Sequence, residues 1–286
     1  MSLRINTNVS SLTAYQNLQN NQSNMASAIE KLSSGLRINK AADDASGLAI
    51  SQGLTSQING LTQAVSNAQD GINVAQIADG ALGTSQQVLQ RMRTLVVQAS
   101  NSGTQDTNSL KDIQQELGSL SNQLDSIASK TAFGGKSLLD GKYNGAFQVG
   151  ANGGDTIALN LTGASGAGSF SASGLGVNSS ASGGGAVDVT ASGFNSTTVL
   201  SALDTALQSV STARATIGAT QNQLNYTVSN LQTAITNVTA SRSNITDADL
   251  ATEVSKMTQA QILSQAATSV LAQANSAPQS ILKLLQ

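Results

Sequence analysis

Apolar positions in this chain recur at three- and four-residue spacing over long stretches, and the recurrence separates helical flanks from a different centre. The most sustained run is C-terminal: Leu203, Leu207, Val210, Ile217, Leu224, Val228, Leu231, Ile235 and Val238 fall on alternating steps of four and three. Arg214 and Gln221 occupy the two slots that would complete this series. A heptad seam sustained in this way predicts a long coiled-coil helix. A second stripe runs through Leu61, Val65, Ala68, Ile72, Ala75, Leu82, Leu89, Met92, Val96 and Ala99, with Asp79 and Gln86 in otherwise apolar slots. After a turn at Ser100-Asn101-Ser102-Gly103, a third follows through Leu110, Ile113, Leu117, Leu120, Leu124 and Ile127. Long stripes joined by short breaks predict a mainly α fold, an elongated antiparallel helical bundle or coiled coil.

The two ends are amphipathic as well. Leu12, Leu18, Met25, Ile29 and Leu32 mark one helix that should stop at Gly35. Thr246-x-x-Asp249 reads as a capping box opening a last helix through Val254, Met257, Ile262, Ala266, Val270 and Ala274, with Pro278 ending it or starting a new turn. Both end helices are rich in Ser, Asn and Gln and poor in i,i+4 ion pairs, so each depends on packing against a partner. Further copies of the chain are the expected partner. The end segments, 1–43 and 245–286, are therefore expected to be largely disordered in the monomer and to become helical on assembly.

The centre reads differently. Most of the 26 Gly lie between Lys130 and Ser196, and no charged residue occurs between Asp155 and Asp188. Phe133-Gly134-Gly135-Lys136 and Asp140-Gly141-Lys142 are turn chemistry; Phe147-Gln148-Val149 and Thr156–Leu161 alternate as short strands around Asn152-Gly153-Gly154-Asp155. From Gly163 to Gly193 the chain is a Gly/Ala/Ser run, poor in large apolar groups, expected to add little to a core and to be dispensable.

Composition narrows the chemistry. Among 286 residues there is no Cys, His or Trp, aromatics make up 2%, and one Pro is present. That excludes a Ser-His-Asp triad, a Cys nucleophile and an imidazole or thiolate zinc site. The acids are few and scattered apart from Asp43-Asp44, a pair read as solvated or capping rather than metal-binding. No catalytic, cofactor or metal site is expected. A net charge of −2 gives no footprint for nucleic acid or anionic lipid, and no apolar run is long enough to span a membrane. The start, Met1-Ser2-Leu3-Arg4, lacks the apolar region of a Sec-type signal. Gly183-Gly184-Gly185 lacks the Lys-Ser/Thr and the strand–helix setting of a phosphate loop. Met25, Met92 and Met257 sit at seam spacing as core filler. Arg91 and Arg93 form a close basic pair that reads either as a solvated helix face or, with Glu116 on the next stripe, as an exposed charged strip.

The terminal strings carry a resemblance. Ile5-Asn6-Thr7-Asn8 through Leu18, Leu32-Ser33-Ser34-Gly35-Leu36-Arg37-Ile38-Asn39, and Ala41-Ala42-Asp43-Asp44-Ala45-Ser46-Gly47-Leu48-Ala49-Ile50 resemble the N-terminal signature of bacterial flagellin. Asp247-Ala248-Asp249-Leu250-Ala251-Thr252-Glu253 through Gln261-Ile262-Leu263, and Ser269-Val270-Leu271-Ala272-Gln273-Ala274-Asn275, resemble its C-terminal signature. Ser46 stands where the family often has Ala.

The resemblance implies a structural subunit that polymerises into the helical flagellar filament used for motility, secreted through the flagellar type III apparatus to the cell exterior. It implies an N-terminal arm of the filament core over 1–43, helical rod over 44–131, a β-hairpin region with a minimal variable outer segment over 132–195, rod again over 196–244, and a C-terminal arm over 245–286. The implied polymerisation core comprises Leu12, Leu18, Met25, Ile29, Leu32, Val254, Met257, Ile262, Val270 and Leu271. The implied partners are further copies of the chain, an export chaperone, the filament cap and the hook-junction proteins. The host Toll-like receptor for flagellin would read Gln90, Arg91, Leu95 and Glu116, with Arg91 free for the receptor and Leu95 an apolar anchor beside it. Thr94 departs from the acid many members carry. The alternative within the same structural class is a hook–filament junction protein; an adhesin or signalling ligand would need a defined central binding domain, and an enzyme a catalytic constellation.

Overall fold

The computed structural model describes residues 7–101, 103, 105–161, 169–180 and 185–284, and of 277–284 the backbone alone. Ile5 and Asn6 of the N-terminal string, Gly163 to Gly168, and Gly183 and Gly184 lie outside the described residues. The fold is mainly α: α1 (Val9–Ser34), α2 (Ala45–Ala99), α3 (Thr107–Lys130), α4 (Ser196–Thr246) and α5 (Leu250–Leu284). Between α3 and α4 lie the short strands β1 (Ala132–Phe133), β2 (Lys136–Ser137), β3 (Tyr143–Gln148) and β4 (Thr156–Leu161). The chain divides into two compact units, Met1–Ile58 with Thr236–Gln286, and Asn59–Ile235.

In the unit Asn59–Ile235 the three apolar stripes meet. Leu82, Leu89, Met92 and Val96 of α2, Leu117 and Leu124 of α3, and Leu203, Val210 and Ile217 of α4 are all buried in one core. Their spacing is what the heptad pattern demands of helices packed along their length. The polar interruptions of the stripes meet too, Arg214 of α4 reaching both Asp79 and Gln86 of α2. β1 and β2 pair antiparallel across Gly134 and Gly135, whose φ of 54° and 80° suit the primed turn that a two-residue hairpin loop favours. β3 and β4 pair antiparallel from Tyr143↔Leu161 to Gln148↔Thr156, and β4 turns Ile157, Leu159 and Leu161 inward. Ile157 and Val149 close a second small cluster with Ala68 of α2 and Leu224 of α4.

The Gly/Ala/Ser run departs from expectation. Phe170, Ala172, Val177, Val187 and Val189 are buried in the main core. The segment is seated on α3 by side chains that take up its backbone polar groups. Gln114 Nε2 donates to Ser179 Oγ (2.9 Å) and to the Ser180 carbonyl (2.6 Å), while its Oε1 accepts from the Val189 N–H (2.9 Å). Ser121 Oγ accepts from the Ser179 N–H (3.1 Å), and Asp125 Oδ1 from the Ala172 N–H (2.9 Å). A segment poor in apolar side chains can thus still close a core, because its few large ones point one way and its backbone is satisfied.

In the other unit α1 ends where the sequence places its stop: Gly35 takes φ 70° and its N–H returns to the Lys31 carbonyl at 2.9 Å. Two expectations are corrected here. Thr246 is the last residue of α4, its hydroxyl donating to the Arg242 carbonyl (3.0 Å), and the cap of α5 is Asp249, which accepts from the Ala251 N–H (3.0 Å) and the Thr252 N–H (3.4 Å). A carboxylate directly ahead of the first turn satisfies the open donors better than a hydroxyl three residues earlier, which α4 has already enclosed. Pro278 does not end α5, which runs on to Leu284. Proline removes its own N–H from the ladder, and the remaining turns continue past it.

Candidate functional site

α1 and α5 run antiparallel. Asn8 Nδ2 donates to the Ala274 carbonyl (2.8 Å) and Ser11 Oγ to Asn275 Oδ1 (2.8 Å) at one end. At the other, the Arg37 N–H donates to the Thr246 carbonyl (2.7 Å), the Ala248 N–H to the Gly35 carbonyl (3.0 Å), and Arg37 Nη2 to the Ile245 carbonyl (2.7 Å). Asp43 accepts from the N–H groups of Lys40 (2.9 Å) and Asn39 (3.0 Å), which hold its carboxyl below the ordinary range, Lys40 contributing most. Asp44 accepts from the Gly47 N–H (2.8 Å) at the start of α2. The acid pair is thus a capping device. Lys40 pairs with Glu30 at 2.8 Å.

The contact between these helices is a heptad seam of small residues. Ala14 and Ala28 are buried, with Ser11, Leu18, Asn21, Met25 and Leu32 half-buried on the same α1 face; Glu253 and Ala260 are buried, with Met257, Ser264, Ala267, Leu271 and Ala274 half-buried on α5. Glu253 pairs with Lys256 at 2.7 Å. The apolar residues read from the sequence as one stripe therefore separate into two faces. Leu18, Met25, Leu32, Met257 and Leu271 line the seam, whereas Leu12 (56% exposed), Ile29, Val254, Ile262 and Val270 (57% exposed) point outward. Tyr15, Leu250 and Leu263 join them outside. A strict seven-residue count separates these faces; a looser amphipathic reading merges them.

The charged strip of the other unit is formed across α2 and α3. Arg91 lies 2.7 Å from Glu116, which keeps its guanidinium charged beyond the ordinary range, and Arg93 Nε lies 2.8 Å from Asp204 Oδ1. Gln90 is exposed beside them. Two corrections follow. Arg91 is paired with Glu116 rather than unengaged, and Leu95, 2% exposed, packs into the core rather than standing beside Arg91 as an anchor. Leu95 follows Met92 by three residues and so shares its inward face. Ser121 and Asp125 belong to no motif of the sequence, and Gln114 enters only within the Ile113–Glu116 string that resembles the receptor patch, not as a partner of the segment after β4. Their only signal is helical spacing alongside the α3 stripe, where polar residues ordinarily face water.

Among the described residues no group of three or more metal-ligating side chains gathers, and no helix is long and apolar enough to cross a membrane. Asp43, Asp44, Asp106 and Asp249 serve as caps, and Glu30, Glu116, Asp79, Asp204 and Glu253 stand in ion pairs. Outward apolar side chains on paired helices, whose nearby acids serve as caps or in ion pairs, mark a self-associating helical structural protein.

The comparisons with known proteins agree. The bacterial flagellin N-terminal helical region matches residues 5–144, and the C-terminal helical region matches residues 200–285. The chain is 43% identical to the flagellin of Bacillus subtilis (strain 168), covering 99% of this chain and 100% of that one. It is 45% identical to flagellin B of Vibrio cholerae over 56% of this chain and 43% of the relative. A crystal structure of Bacillus cereus flagellin aligns at 28% identity and a TM-score of 0.47 over 58% of this chain and 88% of that one. The chain belongs to the bacterial flagellin family. It is a structural subunit of the bacterial flagellar filament, part of the flagellum. Matching a flagellin along its whole length, it is not assigned to the hook–filament junction.

Proposed function

We propose that copies of this chain polymerise through the outward face of α1 and α5. The observation that carries this reading is the distribution of exposed large apolar side chains. Leu12, Tyr15, Ile29, Val254, Ile262 and Val270 all lie on the arm helices, whereas the larger unit exposes few side chains of this kind. Covering a Leu, Ile or Val side chain contributes about 1.5–3 kcal/mol, so the exposed Leu, Ile and Val of α1 and α5 together supply a substantial driving force for stacking. Leu18, Met25, Leu32, Met257 and Leu271 hold the arm pair together behind that face. The subunit serves motility as a secreted, extracellular building block without catalytic activity, and type III export, an export chaperone, the filament cap and hook-junction proteins are its partners.

The test is a pair of neighbouring charges. Val270→Asp should leave the free subunit as stable as the parent and abolish filament formation, because a charge would be buried unpaired between copies. Leu271→Asp should instead weaken the α1–α5 pair of the subunit itself. Filaments of normal length from Val270→Asp protein would overturn the assignment of this face.

We also propose that the exposed Gln90 and the Arg91–Glu116 pair form the patch read by the host Toll-like receptor for flagellin. Leu95 supports the patch from the core beneath it. The planar guanidinium, already oriented by Glu116, suits recognition of a carbonyl or carboxylate. Arg91→Ala should reduce activation of a receptor reporter by monomer at least tenfold, about 1.4 kcal/mol if binding sets the response. Undiminished activation by folded Arg91→Ala protein would remove the residue from the patch.

A further inference from the structure

Three polar residues interrupt the apolar stripes of α2 and α4, and the fold brings them to one point. Arg214 Nε donates to Asp79 Oδ1 at 2.8 Å and Nη2 to Asp79 Oδ2 at 3.3 Å, a two-pronged grip on one carboxylate. Its third nitrogen, Nη1, donates to Gln86 Oε1 at 2.8 Å. Asp79 and Gln86 are one heptad apart on α2, so a single guanidinium spans two helical turns of its neighbour. Gly83 lies between them, and a Cβ placed there would stand 3.9 Å from Arg214 Cζ. The planar group therefore lies across the helix surface where no side chain intervenes. Around this point the seam is built of residues that repeat with the heptad: Leu82, Leu89 and Val96 on one side, Leu203, Val210, Ile217 and Leu224 on the other.

A seam of that kind keeps much of its packing after a slip of one heptad, because its Leu and Val then meet other apolar members of the repeat, Ala68 and Ala75 among them. The polar cluster does not. A slip would carry Arg214 about 10 Å along α2, so that it leaves Asp79 or Gln86 behind, according to its direction, and the full set of three bonds forms in one alignment alone. We infer that Arg214, Asp79 and Gln86 form a register lock between α2 and α4, which selects one axial alignment at the expense of apolar packing. Exchanging charged partners in a seam for apolar residues often preserves or raises stability while discarding the preference among alignments. That separation of stability from uniqueness distinguishes a lock from an ordinary stabilising contact.

The chain contains no Cys, so two introduced cysteines can be spin-labelled without background. The sites are Gln87→Cys on α2 and Ser211→Cys on α4, both exposed. In the otherwise unaltered subunit the pulsed electron–electron distance between labels should be single and narrow. Replacing all three lock residues, Asp79→Leu with Gln86→Leu and Arg214→Leu, should give a helical protein with an unchanged or higher Tm. Its label distance should be broadened, with a second population shifted by about 10 Å. Gln86→Leu alone removes one hydrogen bond and keeps the ion pair, and should broaden the distance less. If the triple variant does not fold, that milder variant decides. A single narrow distance in every folded variant overturns the inference. The measurement uses free subunit, so its outcome is independent of whether the arm face drives polymerisation.

Discussion

Gln114 is 1% exposed and commits both ends of its amide to the segment after β4: its Nε2 donates to Ser179, Ser180 and Val187, and its Oε1 accepts from Val189. Gln114→Leu would keep the volume and strand the buried Val189 N–H away from water. An unsatisfied buried group costs about 1–3 kcal/mol, so a loss of about that size is expected in denaturant unfolding of the monomer. The acids by the start of α5 make a second prediction. The Ser243 and Thr246 hydroxyls lower the Asp247 carboxyl, and the Thr252 hydroxyl and N–H lower that of Asp249, as Lys40 and Asn39 lower Asp43. Carboxyls depressed in the folded state add stability that is complete above their unfolded range, near pH 4, and is lost as pH falls through the lower folded values. The arm unit should therefore loosen below about pH 4, ahead of the rest, in an acid titration followed by hydrogen exchange. At this scale the sequence was only partly legible. Gly35 as a stop and Asp43-Asp44 as caps follow from local chemistry. The fate of Gln114 and Leu95 depends on which residues lie across from them.

Among elements, the long apolar stripes were readable because each extends far enough for its period to dominate. The hairpins were readable because Gly134-Gly135 permits few turns. The segment after β4 was not. Its buried Phe170, Val177, Val187 and Val189 are widely spaced, and without a regular period nothing in the sequence tells a core-facing valine from a surface one. That element carries a reversed prediction: dispensability on compositional grounds gives way to a structural role. Replacing 169–190 by a short Gly/Ser linker should uncover Leu117 and Leu124 on α3, lower the Tm of the monomer and raise binding of a hydrophobic dye. An unchanged melting curve would restore the earlier expectation. The tip of the β3–β4 hairpin, Asn152-Gly153, is exposed and should accept the same linker with little change in Tm.

At the scale of the molecule, the two units differ in how they are held. The unit Asn59–Ile235 buries Leu, Met, Val and Phe side chains in a continuous core. The arm unit fully buries Ala14, Ala28 and Ala260 at its seam, its Leu18, Met25, Leu32, Met257 and Leu271 are half-buried there, and Leu12, Ile29, Val254, Ile262 and Val270 face outward. Apolar burial scales with area, at about 25 cal/mol per Å², so an alanine seam returns little against the entropy of ordering two long helices. The Ser, Asn and Gln that crowd α1 and α5 add no compensating ion-pair ladder. The arms should consequently be the least protected helices of the free subunit, their amides exchanging far faster than those of α3 or of α2 between Val74 and Ala99. Once other copies cover Leu12, Ile29, Val254, Ile262 and Val270, the same amides should become strongly protected and far-ultraviolet helicity should rise. Hydrogen exchange of monomer and filament, read peptide by peptide across residues 9–34 and 250–276, makes the comparison directly. Equal protection in both states would mean that the alanine seam suffices by itself, and the outward face would then have no part in ordering the arms.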